Sequence, residues 1–473
     1  MVNDQNDSAE NIHQTIDKTP DLDASTSKLT NFLAQLVIDQ FNAPWRVLWL
    51  NYELAFLRSV AKWNFLLRRR QEKLHNQIAK RDPARFMTVV DHAQKLDIAN
   101  SASKSIQRSD DFLPYNPQVE APATDLRAIA FYLPQFHPFA ENDEWWGKGF
   151  TEWTNVGKAL PSFTGHYQPH CPIHFGYYDL RLPEIMVEQA RVARHYGVHG
   201  FAYHFYWFAG RTLMEQPLRT MLQNKNMDFP FCLSWANENW TRRWDGKDTD
   251  VLIAQDYSLE DGRKMINHIA DYLKDARYIR VNGRAVFSVY RPREIPDVEE
   301  MVKIWREEAR SLGIGELHLI GIQQRSTDDF RNIGFDANLE FAPHGLDPVN
   351  LAPAYGFTRQ FAGRLFDYDE VVTAALAQDD SGLNRYRSVT LGWDNTARSP
   401  DRATIYTNFS IDGYHRWLSE LCKRLRQDKA RLPDDRLLFI NAWNEWAEGT
   451  HLEPDQRYGF AYLEATRRAI SGN

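Results

Sequence analysis

From Asp125 onward, short apolar runs rich in β-branched and aromatic residues alternate with amphipathic stretches, and this alternation restricts the fold more than any other feature of the chain. Eight runs read as strands: RAIAFYL from Arg127, GFAYHFY from Gly200, FPFCLSW from Phe229, RAVFSVY from Arg284, LHLIGI from Leu317, ANLEF from Ala337, SVTLGW from Ser388 and LLFINAW from Leu437. Between them lie segments of helical period such as LPEIMVEQARVARHYG, LEDGRKMINHIADYLKD and DVEEMVKIWREEARSLG. Roughly eight β/α units predict an α/β chain folded as a (β/α)₈ TIM barrel with insertions. A doubly wound sheet gives a similar alternation, but its first strand usually runs into a glycine-rich phosphate loop. Here the first run is followed by PQFHPFAENDEWWGKGFTEW, so the barrel is the expectation.

Upstream of the barrel, assigned to 125–473, the pattern differs. Residues 1–28 are polar and read as a disordered tail. Residues 29–100 read as a helical hairpin extension, with Leu33, Leu36 and Val37, a break at Pro44, then Val47, Leu50, Leu54 and Leu57. Its basic residues 58–73 include Arg58, Lys62, Arg68, Arg69, Arg70 and Lys73 among Trp63, Phe65, Leu66 and Leu67. Such a segment can touch an anionic membrane surface or a partner helix, or present a solvated face while packed on the protein's own body. Residues 101–124 have the composition of a linker.

The 473 residues are 43% hydrophobic and 25% charged, enough for a large core. A net charge of -7 leaves no global basic field, and nucleic acid is not an expected partner. Cys171, Cys232 and Cys422 are too few and too scattered for a disulfide framework or a zinc ribbon, which fits a reducing compartment. The start lacks the basic and apolar regions of a secretory signal, so a cytoplasmic location is expected, membrane-peripheral if the basic segment docks.

Fifteen tryptophans are unusual, and ten of them (Trp145, Trp146, Trp153, Trp207, Trp235, Trp240, Trp244, Trp393, Trp443, Trp446) fall where apolar runs give way to polar residues. In a barrel of this type the active site sits at the C-terminal ends of the strands. Those ends carry Gln135 and His137, with Glu152 and Trp153 further on; His204, Tyr206 and Trp207; Asn237, Glu238 and Asn239; and Tyr290 and Arg291. The remaining four carry Gln323 and Gln324; Glu340, Phe341 and His344; Trp393, Asp394 and Asn395; and Asn444, Glu445, Trp446 and Glu448. Carboxylates and amides beside indoles suit carbohydrate, whose hydroxyls need polar partners and whose C–H faces stack on rings.

Glycosyl transfer to water usually needs two carboxyl groups, one to protonate the leaving oxygen and one to act as nucleophile or base. Glu445 and Glu448 are candidates, and Glu238 and Glu340 are nearly as good. His166, His170 and His174 recur every four residues, but Pro169 and Pro172 disfavour the helix that would align them as ligands, so neither a metal nor another cofactor is expected. Two Asp-x-Asp stretches, Asp248 to Asp250 and Asp367 to Asp369, are weak signs of a sugar-nucleotide site.

FYLPQFHP (131–138), EWWGKGFTEWTNV (144–156), FAYHFYWF (201–208), SWANENWTRRWDG (234–246) and NAWNEWAEGTHLEPD (441–455) together resemble the WbsX-type glycosyltransferase family. That family is associated with lipopolysaccharide and other surface-polysaccharide synthesis, and is related to the glycoside hydrolase family 99 endo-α-mannosidases. The resemblance runs from about Arg127 to the C-terminus. It implies that Glu445 acts as a base on a sugar 2-hydroxyl, which attacks the anomeric carbon, and that Glu448 acts as general acid and then base. Ala447 stands where the hydrolases usually carry His. Three readings follow: a hydrolase or transglycosylase on α-mannoside-like glycans, a sugar-nucleotide transferase, and a non-catalytic glycan-binding barrel.

Overall fold

Strand β1 (Arg127–Tyr132) is buried on both faces beyond its first residue, which is why its sequence is a continuous apolar run rather than an alternating one. It pairs in parallel with β2 (Val198–Phe208) on one side and with β8 (Leu437–Asn441) on the other. From β2 the parallel ladder continues through β3 (Phe231–Trp235), β4 (Arg284–Val289), β5 (Leu317–Ile322) and β6 (Ala337–Leu339). Strand β7 is broken at Arg387: Arg385–Tyr386 pairs with β6, and Ser388–Thr390 pairs with β8. The ladder therefore closes, and the described residues form an eight-stranded (β/α)₈ TIM barrel. This computed structural model describes residues 107–242, 247–346, 348–357, 359–379 and 382–472, with backbone only at 242 and 247–250.

Two short helices, α1 (Ala140–Trp146) and α2 (Glu152–Lys158), lie in the long loop after β1. The outer ring is α3 (Pro183–His195), α4 (Glu215–Gln223), α5 (Leu259–Lys274), α6 (Val298–Ser311), α7 (Tyr368–Leu376), α8 (Ile411–Gln427) and α9 (Ala461–Ser471). Helix α5 shows why such segments form: the Ser258 side chain caps the Asp261 N–H, and Met265, Ile266, Ile269 and Leu273 bury one stripe at helical spacing. Asp367 caps α7 through the N–H groups of Asp369 and Glu370, so this Asp-x-Asp stretch begins a helix.

One unit departs from the expected alternation. Between β5 and β6 only a single 3₁₀ turn, Arg331–Ile333, replaces a helix. The Phe330 ring occupies that place, lying so close to Gly321 of β5 that a Cβ there would come within 2.3 Å of it. The side-chain amide of Asn338 accepts the Phe330 N–H and holds the turn down.

Of the stretch read as a linker, residues 107–124 form a strap on the barrel's outer surface. Ser109 and Leu113 donate to the carbonyls of Arg457 and Tyr458, and the Leu113 carbonyl accepts from Phe460. Further along, Tyr115 packs on Phe460 and accepts from Arg191 of α3, and Thr124 reaches the carbonyl of Ile470 at the end of α9. A polar, proline-containing segment can dock in this way because its backbone groups find partners on the barrel. The segments expected as a disordered tail (1–28) and a helical hairpin (29–100), with basic residues 58–73, lie outside the described residues.

Candidate active site

Arg398, in the loop after β7, gathers three glutamates from two other loops. Its Nε donates to Glu152 at 2.9 Å, one terminal nitrogen to Glu445 at 3.1 Å and the other to Glu448. The guanidinium is buried, and its proton is held more tightly than usual because the carboxylates outweigh the cost of burial. Three carboxylates against one guanidinium leave an excess of negative charge. The result falls on Glu445: burial, with Glu448 and Glu152 nearby, pushes its carboxyl up to about 8 against the opposing pull of Arg398. His204 Nε2 lies 3.9 Å from Glu445, and burial followed by the Arg398 charge lowers that imidazole to about 4, so it is neutral.

These groups open into a cavity of about 530 Å³ at the C-terminal ends of the strands. Glu445 and Glu448 line it, as do Gln135, His204, Tyr206, Glu238 and Trp393 from the expected set. Asn239, Tyr290, Phe341, His344 and Asn395 also face it. Trp240 makes an edge-on contact with Tyr206, giving one wall a ring surface. Glu238 is paired with Arg291 at 2.6 Å.

The eighth loop is built to hold its two glutamates still. Asn444 and Glu445 pair antiparallel with His451 and Thr450 around a 3₁₀ turn, Trp446–Glu448. The turn ends at Gly449, whose φ of +64° and proximity to Asp394, 2.9 Å from an added Cβ, leave no place for a side chain. The Asp394 N–H donates to the Glu448 carbonyl at 2.7 Å, and the Asp394 carboxylate is held by His166 and Gln168. Asp394 is therefore a support beneath Glu448, away from the cavity wall.

Several other expected contact residues are supports as well. Asn444 clamps the end of β1, accepting from the Leu133 N–H at 2.7 Å and donating to its carbonyl at 3.0 Å. Asn237 does the same to Arg291 at the end of β4. These amides bond backbone and leave nothing for a sugar hydroxyl. Trp446 donates to Glu453 behind the strand, Trp153 donates to the Tyr178 carbonyl, and Trp207 donates to Asp261 at the start of α5. His137 folds back onto the Pro134 carbonyl. Glu340 is enclosed, accepting from Arg387 at 2.7 Å and from the Ser388 N–H at 3.0 Å. Glu152 is wholly buried beneath Arg398 and reaches the cavity only through it.

Arg398, Ser399 and Arg402 line the cavity and were not expected from sequence. A rim bearing several carboxylates requires a cation, but nothing distinguishes Arg398 from the other 55 lysines and arginines before folding. His174 lies against Glu188, whereas His166 serves Asp394. Among the described residues, His170, His451 and Asp455 form a buried group with metal-ligand chemistry, apart from the glutamates. Trp244 and the side chains of Asp248 to Asp250 lie outside the described residues.

The chain belongs to the WbsX glycosyltransferase family, whose sequence pattern matches residues 128–466. The family description is that of a glycosyltransferase, a class that acts on carbohydrate. Two relatives, both named "Uncharacterized protein WxcX" and from two strains of Xanthomonas campestris pv. campestris, are 45% identical over 345 residues. That alignment covers 72% of this chain and 49% of theirs, so the chain spans about half the length of the curated relatives it matches. Among solved structures, a glycoside hydrolase-like protein aligns with a TM-score of 0.47 at 14% identity, over 76% of this chain and 98% of its own. The GH99 endo-α-mannosidase of Bacteroides thetaiotaomicron in complex with BIS-TRIS-propane aligns with a TM-score of 0.44 at 16% identity, over 73% and 96%.

Proposed function

We propose that the protein cleaves or transfers a glycosyl group of an α-mannoside-like glycan, with Glu445 and Glu448 as the working pair, in surface-polysaccharide metabolism on the cytoplasmic side. One observation carries this reading: a single guanidinium, Arg398, holds both carboxylates at the edge of an open cavity whose walls include tryptophan, tyrosine and phenylalanine. Among the four glutamates that sequence left in contention, Glu340 is enclosed by Arg387 and Glu238 is taken by Arg291.

Glu445 is suited to remove a proton from a sugar hydroxyl because its surroundings make it a stronger base than an ordinary carboxylate. Neutral His204 beside it adds no charge that would weaken that basicity. Glu448 is the more exposed of the two, with 21% of its side chain accessible against 8% for Glu445, as suits a group meeting both leaving group and water.

The contact between Arg398 and Glu448 favours a second reading, since it stabilises the ionised form of a group that must carry a proton to act as acid. A phosphate-linked donor, such as a nucleotide sugar, departs without that proton once its charge is neutralised. Glu448→Gln decides between the two when assayed on an activated aryl glycoside and on an unactivated disaccharide. A much larger defect on the disaccharide supports acid-assisted cleavage. Undiminished turnover of a nucleotide sugar by the variant would overturn it in favour of the second reading.

A further inference from the structure

The histidine run GHYQPHCPIH does not act as one unit. His170 leaves it to meet two residues of the segment after β8: its Nδ1 lies 2.8 Å from His451 Nε2, which in turn lies 3.8 Å from a carboxylate oxygen of Asp455. All three residues are buried, and the three ligand-type atoms fall within 4.8 Å of one another.

We propose that His170, His451 and Asp455 bind one divalent transition-metal ion, with zinc the natural occupant, and that this ion is a structural rivet behind the glutamate loop. The donors match the borderline-soft nitrogen and oxygen set that zinc accepts. Ligand atoms about 2.0–2.2 Å from one ion stand roughly 2.9–3.6 Å apart at ordinary angles, and the two observed edges bracket that range. The outer contacts are those of a metal site. His451 donates its Nδ1–H to the Glu453 carbonyl at 2.9 Å, which leaves Nε2 as the lone-pair nitrogen facing His170. Asp455 is oriented by the Tyr167 hydroxyl at 3.0 Å and by the Tyr458 N–H at 2.6 Å. In the metal-free form His170 Nδ1 carries the proton that bridges the two imidazoles. Ion binding moves that proton to Nε2 of the same ring and replaces one N–H···N bond with two coordinate bonds.

The consequence concerns geometry, not chemistry on the sugar. His451 pairs directly with Asn444, next to Glu445, so an ion here joins the loop after β1 to the hairpin that bears the working pair. The site stands independently of the proposed reaction, and its failure would leave that reading untouched.

The test uses full-length protein stripped by dialysis against a chelator. Titration with cobalt(II) should give a saturable visible absorption band at one ion per chain, displaced by zinc, and zinc should raise the melting temperature. His170→Gln and Asp455→Asn should each abolish the band. His174→Asn, which removes an outlying histidine paired with Glu188, should keep it. A wild-type protein that shows no band and no melting shift would overturn the proposal and leave the cluster as a hydrogen-bonded imidazole pair. Should either variant fail to fold, the wild-type titration and the His174→Asn control still decide, because loss of the band in the control assigns the ion elsewhere.

Discussion

The ends of strands β6 and β8 each present a buried glutamate to an arginine, and the two arrangements have opposite consequences. At β6, Glu340 has Arg387 and the Ser388 N–H, and its side chain is closed off from solvent and from the cavity. At β8, Glu445 shares Arg398 with Glu152 and Glu448 and faces open space. The enclosed ion pair at β6 secures the wall of the barrel, whereas burial and crowding at β8 raise a carboxyl that can hold and exchange a proton beside the cavity. At these two strand ends, scaffold and reagent differ in access to the cavity and in the crowding of carboxylates around Glu445.

The contrast breaks most directly under matched substitutions. Glu445→Gln should lower turnover by about 10²–10⁴-fold with little change in melting temperature, since removal of a general base costs that much. Glu340→Gln should leave turnover per folded molecule intact, and a loss in kcat comparable to that of Glu445→Gln would erase the distinction. Next in size, Arg387→Met leaves the buried Glu340 without its countercharge, and urea denaturation should report a loss of about 3–5 kcal/mol.

A sharper measure is pH. Because the folded surroundings raise the Glu445 carboxyl to about 8, its base form grows as pH increases, and kcat/KM should climb along an acid limb centred at about 8. That midpoint belongs to the glutamate cluster as a whole. Arg398→Gln removes the opposing positive charge, so the limb should move to higher pH by about 1–3 units. A limb unmoved by this change would separate Arg398 from the titration. The smallest effect is expected at the ring wall: Trp240→Ala should weaken binding by about 0.5–1.5 kcal/mol, a rise in KM of roughly 2- to 13-fold, while leaving kcat in place.

Much of the barrel was legible before folding, because parallel strands covered on both faces spell continuous apolar runs and the crossover helices keep a separate period. The missing helix between β5 and β6 was not, since a phenylalanine seated on Gly321 has no periodic signature. For the site, strand-end position located Glu445, Glu448, His204 and Tyr206 on the cavity. It failed for Asn237 and Asn444, where the same position places an amide beside a neighbouring strand's backbone, and the sequence carries no mark of which partner is nearer. It failed also for Arg398, which reaches the glutamates from a loop with no recognisable pattern. The histidine spacing was misleading in another way, for the neighbour that matters to His170 is His451, 281 residues away.

The strap of residues 107–124 gives the molecule a sequence of events when it comes apart. It is hydrogen-bonded at the beginning of α9 and again at that helix's end, and it leads directly into β1. A force or an unfoldase pulling on residue 107 must peel this band away before it draws out β1, the strand whose end Asn444 grips through Leu133. Removing β1 opens the barrel seam at β8 and frees the hairpin that carries Glu445. Dismantling from that direction would thus release the glutamate hairpin at the outset, while α5, β4 and α6 still stand.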